Sequence, residues 1–152
     1  NGFFKVLPGI TIYKDKRNCL VIEAPKISED VVFTNDVVNL ISDTQFEWLG
    51  RFDHMINSGG IKLNPEHIER KLAKMIPYRF FIAGVFDEKL GEKVVLIIEC
   101  EEESFQMTEV NLFKNLSKFE TPKNNYYLKK FITTQSGKIQ RKETLKKLNL
   151  VH

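Results

Sequence analysis

The chain has 152 residues, 42% hydrophobic and 28% charged, which is enough apolar material to bury a core and within the range of ordinary water-soluble domains. A formal net charge of only +3 argues against a nucleic-acid-binding protein, because such proteins gather positive charge into a face or stripe. The longest apolar run, around residues 94–99, falls far short of a membrane span, and no signal-peptide pattern opens the chain, so a cytoplasmic location is expected.

The chain begins with Asn1 and enters directly on Phe3, Phe4 and a Leu7-Pro8-Gly9 turn, the expected look of a fragment. Ile10 to Tyr13 and Cys19 to Glu23 alternate as strands around a polar Asp15 to Asn18 turn, which predicts a hairpin. Three further strands are predicted at Val31-Val32-Phe33, Val37 to Ile41 and Phe46 to Leu49, the last two joined by Ser42-Asp43-Thr44. Roughly 50 residues of hairpins are too little to fold alone. This stretch is therefore expected to end a larger β-containing domain.

Asn57-Ser58-Gly59-Gly60 has turn chemistry that tolerates positive φ, so a glycine-tipped hairpin is predicted between Asp53 and Leu63. Asn64 is placed to cap a helix with Pro65 at its first position, Glu66 and Glu69 early, and Arg70, Lys71 and Lys74 late. Ile68, Leu72, Met75 and Ile76 fall on one face of that helix. Arg79 to Phe86 and Lys93 to Cys100 read as paired strands, Tyr126 to Ile132 as a third. Thr108 is placed to cap a helix turning Leu112, Phe113, Leu116 and Phe119 inward, and Lys142 to Leu148 should form a last helix. The fold class predicted is α+β: a short β-rich segment, then a compact unit with a β-hairpin and a three-stranded sheet packed with helices.

Cys19 and Cys100 lie far apart within apolar runs, as reduced, buried thiols would, and suggest neither a disulfide nor a metal site. His54, His67 and His152 are dispersed and lack metal-ligand spacing. Trp48 reads as a packing residue. The Lys142, Lys146 and Lys147 run reads as the solvated face of a packed helix rather than a membrane-surface segment.

Two segments stand out: Gly50 to Glu69 (GRFDHMINSGGIKLNPEHIE) and Thr134 to Arg141 (TQSGKIQR). On residues alone each has two readings. The first is either a flexible junction that displays backbone to a ligand, or a surface hairpin with a solvated ion pair. The second is either a lysine held on a glycine-flanked loop for a phosphate or carboxylate, or only a polar turn.

Taken together, the order and spacing of the two segments resemble the adenylate-forming superfamily: acyl-CoA synthetases, peptide-synthetase adenylation domains and luciferases. The first segment matches that family's pattern GRxDxxIxxGGxKxxPxxIE throughout. DEKLGEKV at Asp87 to Val94 resembles its D-x-x-x-G-E segment, and Phe119 to Lys123 its Y-x-x-P-K. Within the superfamily, WLGRFDHMINSGGIKLNPEHIE looks most like O-succinylbenzoate–CoA ligases of menaquinone synthesis.

The resemblance implies that residues 1–51 close the large amino-terminal domain and that 53–152 form a mobile carboxyl-terminal domain. It implies that Asp36, in Thr34-Asn35-Asp36, grips the ribose of the nucleotide, with Asn35 departing from the usual Gly. It makes Arg51 a nucleotide contact, Asp53 the hinge, Gly59 and Gly60 the loop nearing the CoA channel, and Lys138 the catalytic lysine of adenylation. Phe131-Ile132-Thr133 departs from the frequent Leu-Pro-Lys before the lysine loop. ATP with Mg2+, CoA and a carboxylic acid are the implied substrates of a full-length enzyme, with no resident metal and no nucleic-acid partner. The phosphate-binding loop and acyl pocket would lie upstream, so this piece alone is expected to be inactive, to hold no cofactor tightly and to need its own amino-terminal domain as partner. A peptide-synthetase adenylation domain and a non-catalytic basic binding module are the alternatives.

Overall fold

The computed structural model describes residues 2–151; Asn1 and His152, the latter one of the three dispersed histidines, lie outside the described residues. The chain divides into two compact units between His54 and Met55. It is a mixed α+β protein, rich in strands and with few helices.

The first unit is one antiparallel sheet of β1 (Phe3–Lys5), β2 (Thr11–Lys14), β3 (Cys19–Glu23), β4 (Val32–Ser42) and β5 (Gln45–Arg51), ordered β1-β5-β4-β3-β2. A short 3₁₀ turn, Phe52–His54, follows. Ile12, Leu20 and Val38 form its buried cluster, with Trp48 and Phe46 packed against them. The predicted hairpin is the β2–β3 pair. Val31-Val32-Phe33 and Val37 to Ile41, predicted as two strands, are instead joined in one continuous strand, β4, which leaves out only Val31. The polar residues between them stay within β4 because side chains replace missing ladder bonds. Across β3 and β4, Val21 pairs with Phe33 and Cys19 with Val37, so Thr34, Asn35 and Asp36 face Leu20 alone. This bulge is closed by the Thr34 hydroxyl, which donates to the Leu20 carbonyl at 2.8 Å. Bulges of this kind re-aim side chains.

The second unit is built on β8 (Phe80–Asp87) and β9 (Gly91–Ile98), an antiparallel pair whose register runs from Phe80↔Ile98 to Asp87↔Gly91. With one edge of β9 filled by β8, its other edge takes β10 (Asn124–Tyr127) in parallel at one end and β6 (Ile56–Ser58) at the other. β6 pairs in turn with β7 (Ile61–Leu63). The glycine hairpin thus joins the predicted three-stranded sheet through the Ser58↔Gly91 pair, giving five strands.

Side chains alternate across the sheet. Ile82, Leu96 and Ile98 pack with Ile68 and Leu72 of α1 (Pro65–Leu72) and with Leu112 of α2 (Glu109–Phe113). Phe81, Val95 and Ile97 pack on the opposite face with Phe131 and with Leu145 of α3 (Arg141–Lys147). Covering both faces accounts for the unbroken apolar run of β9. Asn64 caps α1, its Oδ1 accepting from the backbone N–H groups of Glu66 and His67, as predicted.

Two expectations need correction. Thr108 makes no side-chain cap bond, α2 stops at Phe113, and Phe119 is 56% exposed rather than inward. Beyond α2, Ser117 and Glu120 bond to each other's backbone, a local arrangement that competes with helix. The third strand ends at Tyr127, not Ile132, because its partner β9 ends at Ile98. Phe131 then turns inward onto Phe81, with ring centroids 5.3 Å apart. Cys19 and Cys100 are free and buried. Among the described residues no helix is long and apolar enough to cross a membrane.

Candidate functional site

In the first unit the β4–β5 ladder sets Asp36 opposite Arg51. Asp36 Oδ1 lies 3.5 Å from Arg51 Nη1 and accepts a hydrogen bond from Trp48 Nε1 at 3.1 Å. Arg51 Nε donates to Asp53 Oδ1 at 3.1 Å. Arg51 thus bridges two carboxylates, one on β4 and one in the 3₁₀ turn. Partial burial pushes the Asp53 carboxyl up, but the hydrogen bond from Arg51 and a backbone donor outweigh it and hold the group below its ordinary value. The hydrogen bond to Asp53 likewise raises the Arg51 guanidinium, which stays charged. The result is a fixed cation flanked by carboxylate oxygens, all partly open to solvent. Such a cluster can accept hydroxyl hydrogen bonds and offer charge to an anion.

In the second unit Gly59 and Gly60 form the tip of the β6–β7 hairpin with φ of +58° and +80°. Positive φ at both positions is why the sequence needs glycine there. Gly59 N–H donates to the Leu90 carbonyl at 2.8 Å, and Asn57 N–H to Glu92 Oε2 at 2.6 Å. The exposed hairpin is therefore pinned to the turn between β8 and β9 and to the start of β9. Gly84 makes room for this contact: a Cβ there would lie 2.8 Å from Glu92 Oε1.

Lys138 ends a tight loop. Thr134 N–H donates to the Lys138 carbonyl at 2.9 Å, Lys138 N–H to Thr134 Oγ1 at 3.1 Å, and Gly137 takes φ of +81°. Thr133 bridges Ile139 beyond it. Arg79, just before β8, fixes the loop by donating from Nη2 to the Gly137 carbonyl at 3.0 Å. The Lys138 side chain is exposed, and among the described residues it has no ion-pair partner. The lysine loop is thus tied to the start of β8, and the glycine hairpin to the turn after its end. Eight residues of strand separate the two anchors, about 26 Å of extended chain.

Asp36, Arg51 and Asp53 are therefore brought together, whereas Gly59, Gly60 and Lys138 stand on separate loops. Sequence reading missed three supports. Trp48 packs as expected but also bonds Asp36. Arg79 holds the lysine loop. Arg141, the first residue of α3, makes a two-pronged contact with Glu69 of α1, at 2.8 Å on each side. Of these, the position of Arg141 within TQSGKIQR was the one available signal. Among the described residues no group of three or more His, Cys, Asp or Glu is arranged to hold a metal ion.

A scan against protein-family models finds no match. Over 113 residues, 72% of this chain, the sequence is 32% identical to oxalate–CoA ligase of Arabidopsis thaliana, of which that stretch is 22%. It is 26% identical to gramicidin S synthase 2 of Brevibacillus brevis over 71% of this chain and 2% of that protein. Among solved structures, an acyl-CoA synthetase (AMP-forming)/AMP-acid ligase II-like protein from Dyadobacter fermentans matches 97% of this chain and 44% of its own, at 34% identity and a TM-score of 0.58. The o-succinylbenzoate CoA synthetase of Bacillus subtilis, at 17% identity, matches 90% of this chain and 34% of its own with a TM-score of 0.73, a likeness of fold. The relatives and structural neighbours are thus AMP-forming acyl-CoA ligases, with peptide synthetases beside them. The chain spans well under half the length of these relatives.

Proposed function

We propose that this chain is the carboxyl-terminal portion of an ATP-dependent, AMP-forming acyl-CoA ligase. In the first half-reaction a carboxylate oxygen attacks the α-phosphorus of Mg-ATP, and pyrophosphate leaves. In the second the thiolate of CoA attacks the acyl carbonyl, and AMP leaves. Bringing two anions together is the obstacle in the first step, and an ammonium aimed between them stabilises the transition state.

The observation that carries the reading is the placement of Lys138: exposed, unpaired by any described carboxylate, and held on a loop braced by Thr134 and Arg79. A cation displayed in this way on a braced loop has no evident structural task. The glycine hairpin, anchored at the far end of β8, suits the second step. Two loops so far apart reach one reaction centre only if the lobe that bears them turns, with Asp53 as hinge. In this reading residues 1–51 end the large domain and 53–152 form the turning lobe. Asp36 takes the ribose hydroxyls and Arg51 the nucleotide.

The test is Lys138→Ala in the complete ligase. Adenylation, read as carboxylate-dependent pyrophosphate exchange, should fall by about 10²-fold or more. Thioester formation from supplied acyl-adenylate should survive. Equal damage to both steps would refute the assignment. By the same reasoning the 152-residue chain alone should form no acyl-CoA. The resemblance of WLGRFDHMINSGGIKLNPEHIE makes o-succinylbenzoate the first acid to assay, and menaquinone synthesis in the cytoplasm the setting. Similarity to gramicidin S synthase 2 supports a second reading, an adenylation domain, which would pass its acyl group to a carrier-protein thiol and not to CoA.

A further inference from the structure

Resting on the nucleotide-binding reading of Asp36, we propose that Arg17 is a positioning residue for that carboxylate, acting through Asn35. Arg17 lies in the β2–β3 turn, outside both sequence segments from which the function was read. The turn is rigid: Asp15 Oδ1 accepts from the backbone N–H groups of Arg17 and Cys19, at 2.8 and 2.9 Å. Asn18 sits beyond Arg17 with φ of +63°. Asp15 Oδ2 accepts from Arg17 Nε, also at 2.8 Å, so the guanidinium is oriented from below.

What the guanidinium then reaches is the bulge of β4. Arg17 Nη1 donates to Asn35 Oδ1 at 2.9 Å, and Nη2 donates to the Thr34 carbonyl at 3.1 Å. The same group lies 5.2 Å from the centre of the Phe52 ring, and Phe52 stands between Arg51 and Asp53. The bulge puts Thr34, Asn35 and Asp36 opposite one residue of β3, so the β3–β4 ladder does not hold them, and on the β5 side the pairing reaches Asp36 but not Thr34 or Asn35. Arg17 and the Thr34 hydroxyl supply the bonds instead. Asn35 stands where the resembling pattern has Gly, and its amide oxygen is the acceptor Arg17 uses. The planar fork of arginine fits two acceptors at once, which lysine cannot do. Without it the β3 side of the bulge has only the Thr34 hydroxyl to close it, and the Asp36 carboxylate, still paired opposite Arg51 and bonded by Trp48, is carried on a backbone whose two preceding residues have lost their Arg17 anchor.

The experiment is ATP-dependent pyrophosphate exchange by the complete ligase, comparing Arg17→Ala, Arg17→Lys, Asn35→Gly, the Arg17→Ala/Asn35→Gly double variant and Asp36→Asn. Arg17→Ala should raise KM for ATP about 10-fold, a fraction of the roughly 10²-fold that misplacing a group by about 1 Å can cost. Its kcat, its melting temperature and its thioester formation from supplied acyl-adenylate should stay close to the parent's. Arg17→Lys should resemble Arg17→Ala, and the effect of Arg17→Ala should shrink when Asn35 is already Gly. Should Asp36→Asn raise KM for ATP while Arg17→Ala and Arg17→Lys leave it unchanged, the inference fails and the ribose reading stands. Should Asp36→Asn itself leave KM for ATP unchanged, both fail. A loss of melting temperature with no change of KM in the folded enzyme marks Arg17 as merely structural and overturns the inference. If Arg17→Ala does not fold, Arg17→Lys and Asn35→Gly carry the same comparison.

Discussion

Replacing Arg141 by Met should destabilise the second unit markedly without removing any residue of its apolar core. Arg141 meets both oxygens of Glu69 at 2.8 Å, donates to the Ile82 carbonyl at 3.3 Å and lies 5.5 Å from the Phe81 ring centre. The two side chains are only 22% and 18% exposed. Methionine keeps much of the packing and removes the charge, leaving Glu69 the hydrogen bond from the Ile82 N–H. Breaking a fully buried ion pair costs about 3–5 kcal/mol; partial exposure lets water compensate, so about 2–3 kcal/mol is expected here. In a domain of this size each kcal/mol lowers the melting temperature by roughly 4–8 °C.

Burial already pushes the Glu69 carboxyl above its ordinary value of 4.5, and the attraction of Arg141 opposes that. A raised acid binds its proton more tightly in the folded state, so its contribution to stability falls as pH rises from 4.5 through the raised value. Removing Arg141 extends that window upward, and the cost of the variant should shrink on acidification. Urea unfolding of the parent, Arg141→Met, Glu69→Leu and the double variant at neutral and acid pH measures this. The double variant should recover most of the loss. A cost below about 0.5 kcal/mol, or a double variant as unstable as the two singles summed, would refute the coupling.

Gly84→Ala should destabilise by about 1–3 kcal/mol, because its Cβ would lie 2.8 Å from Glu92 Oε1 and 2.9 Å from Ile56 Cγ2; hydrogen exchange at the Asn57 amide should quicken as Glu92 is displaced. Burial raises the Glu120 carboxyl, but the hydrogen bonds from Lys71 and from Ser117 N–H outweigh it and leave it below 4.5. Its stabilisation is therefore complete above 4.5 and is lost as pH falls through the lowered value. Lys71→Met should flatten that acid limb in pH-dependent urea unfolding, and an unchanged limb would count against the pairing.

Much of the fold was legible because local chemistry decided it. Paired glycines require positive φ, so the 59–60 hairpin follows from its residues. Asn64 before Pro65 has its capping oxygen at the one place where α1 leaves N–H groups unmet. The lysine and glycine segments were visible for the same reason, since each is a contiguous run with its own turn chemistry. Element ends were less legible. Whether α2 continues past Phe113, or β10 past Tyr127, depends on partners elsewhere in the chain, and β4 reads as two strands until Arg17 and Leu20 are seen bonding across its polar middle.

Residue order alone thus determined the turns, the cap, the apolar faces and the two segments that suggest chemistry. Tertiary structure alone decided that Arg17 reaches Asn35, that Arg79 braces the lysine loop and that Arg141 meets Glu69, residues 18, 58 and 72 apart in sequence. Those contacts are side-chain hydrogen bonds across long loops. Periodicity does not encode them, because their partners become neighbours only when the sheets have formed.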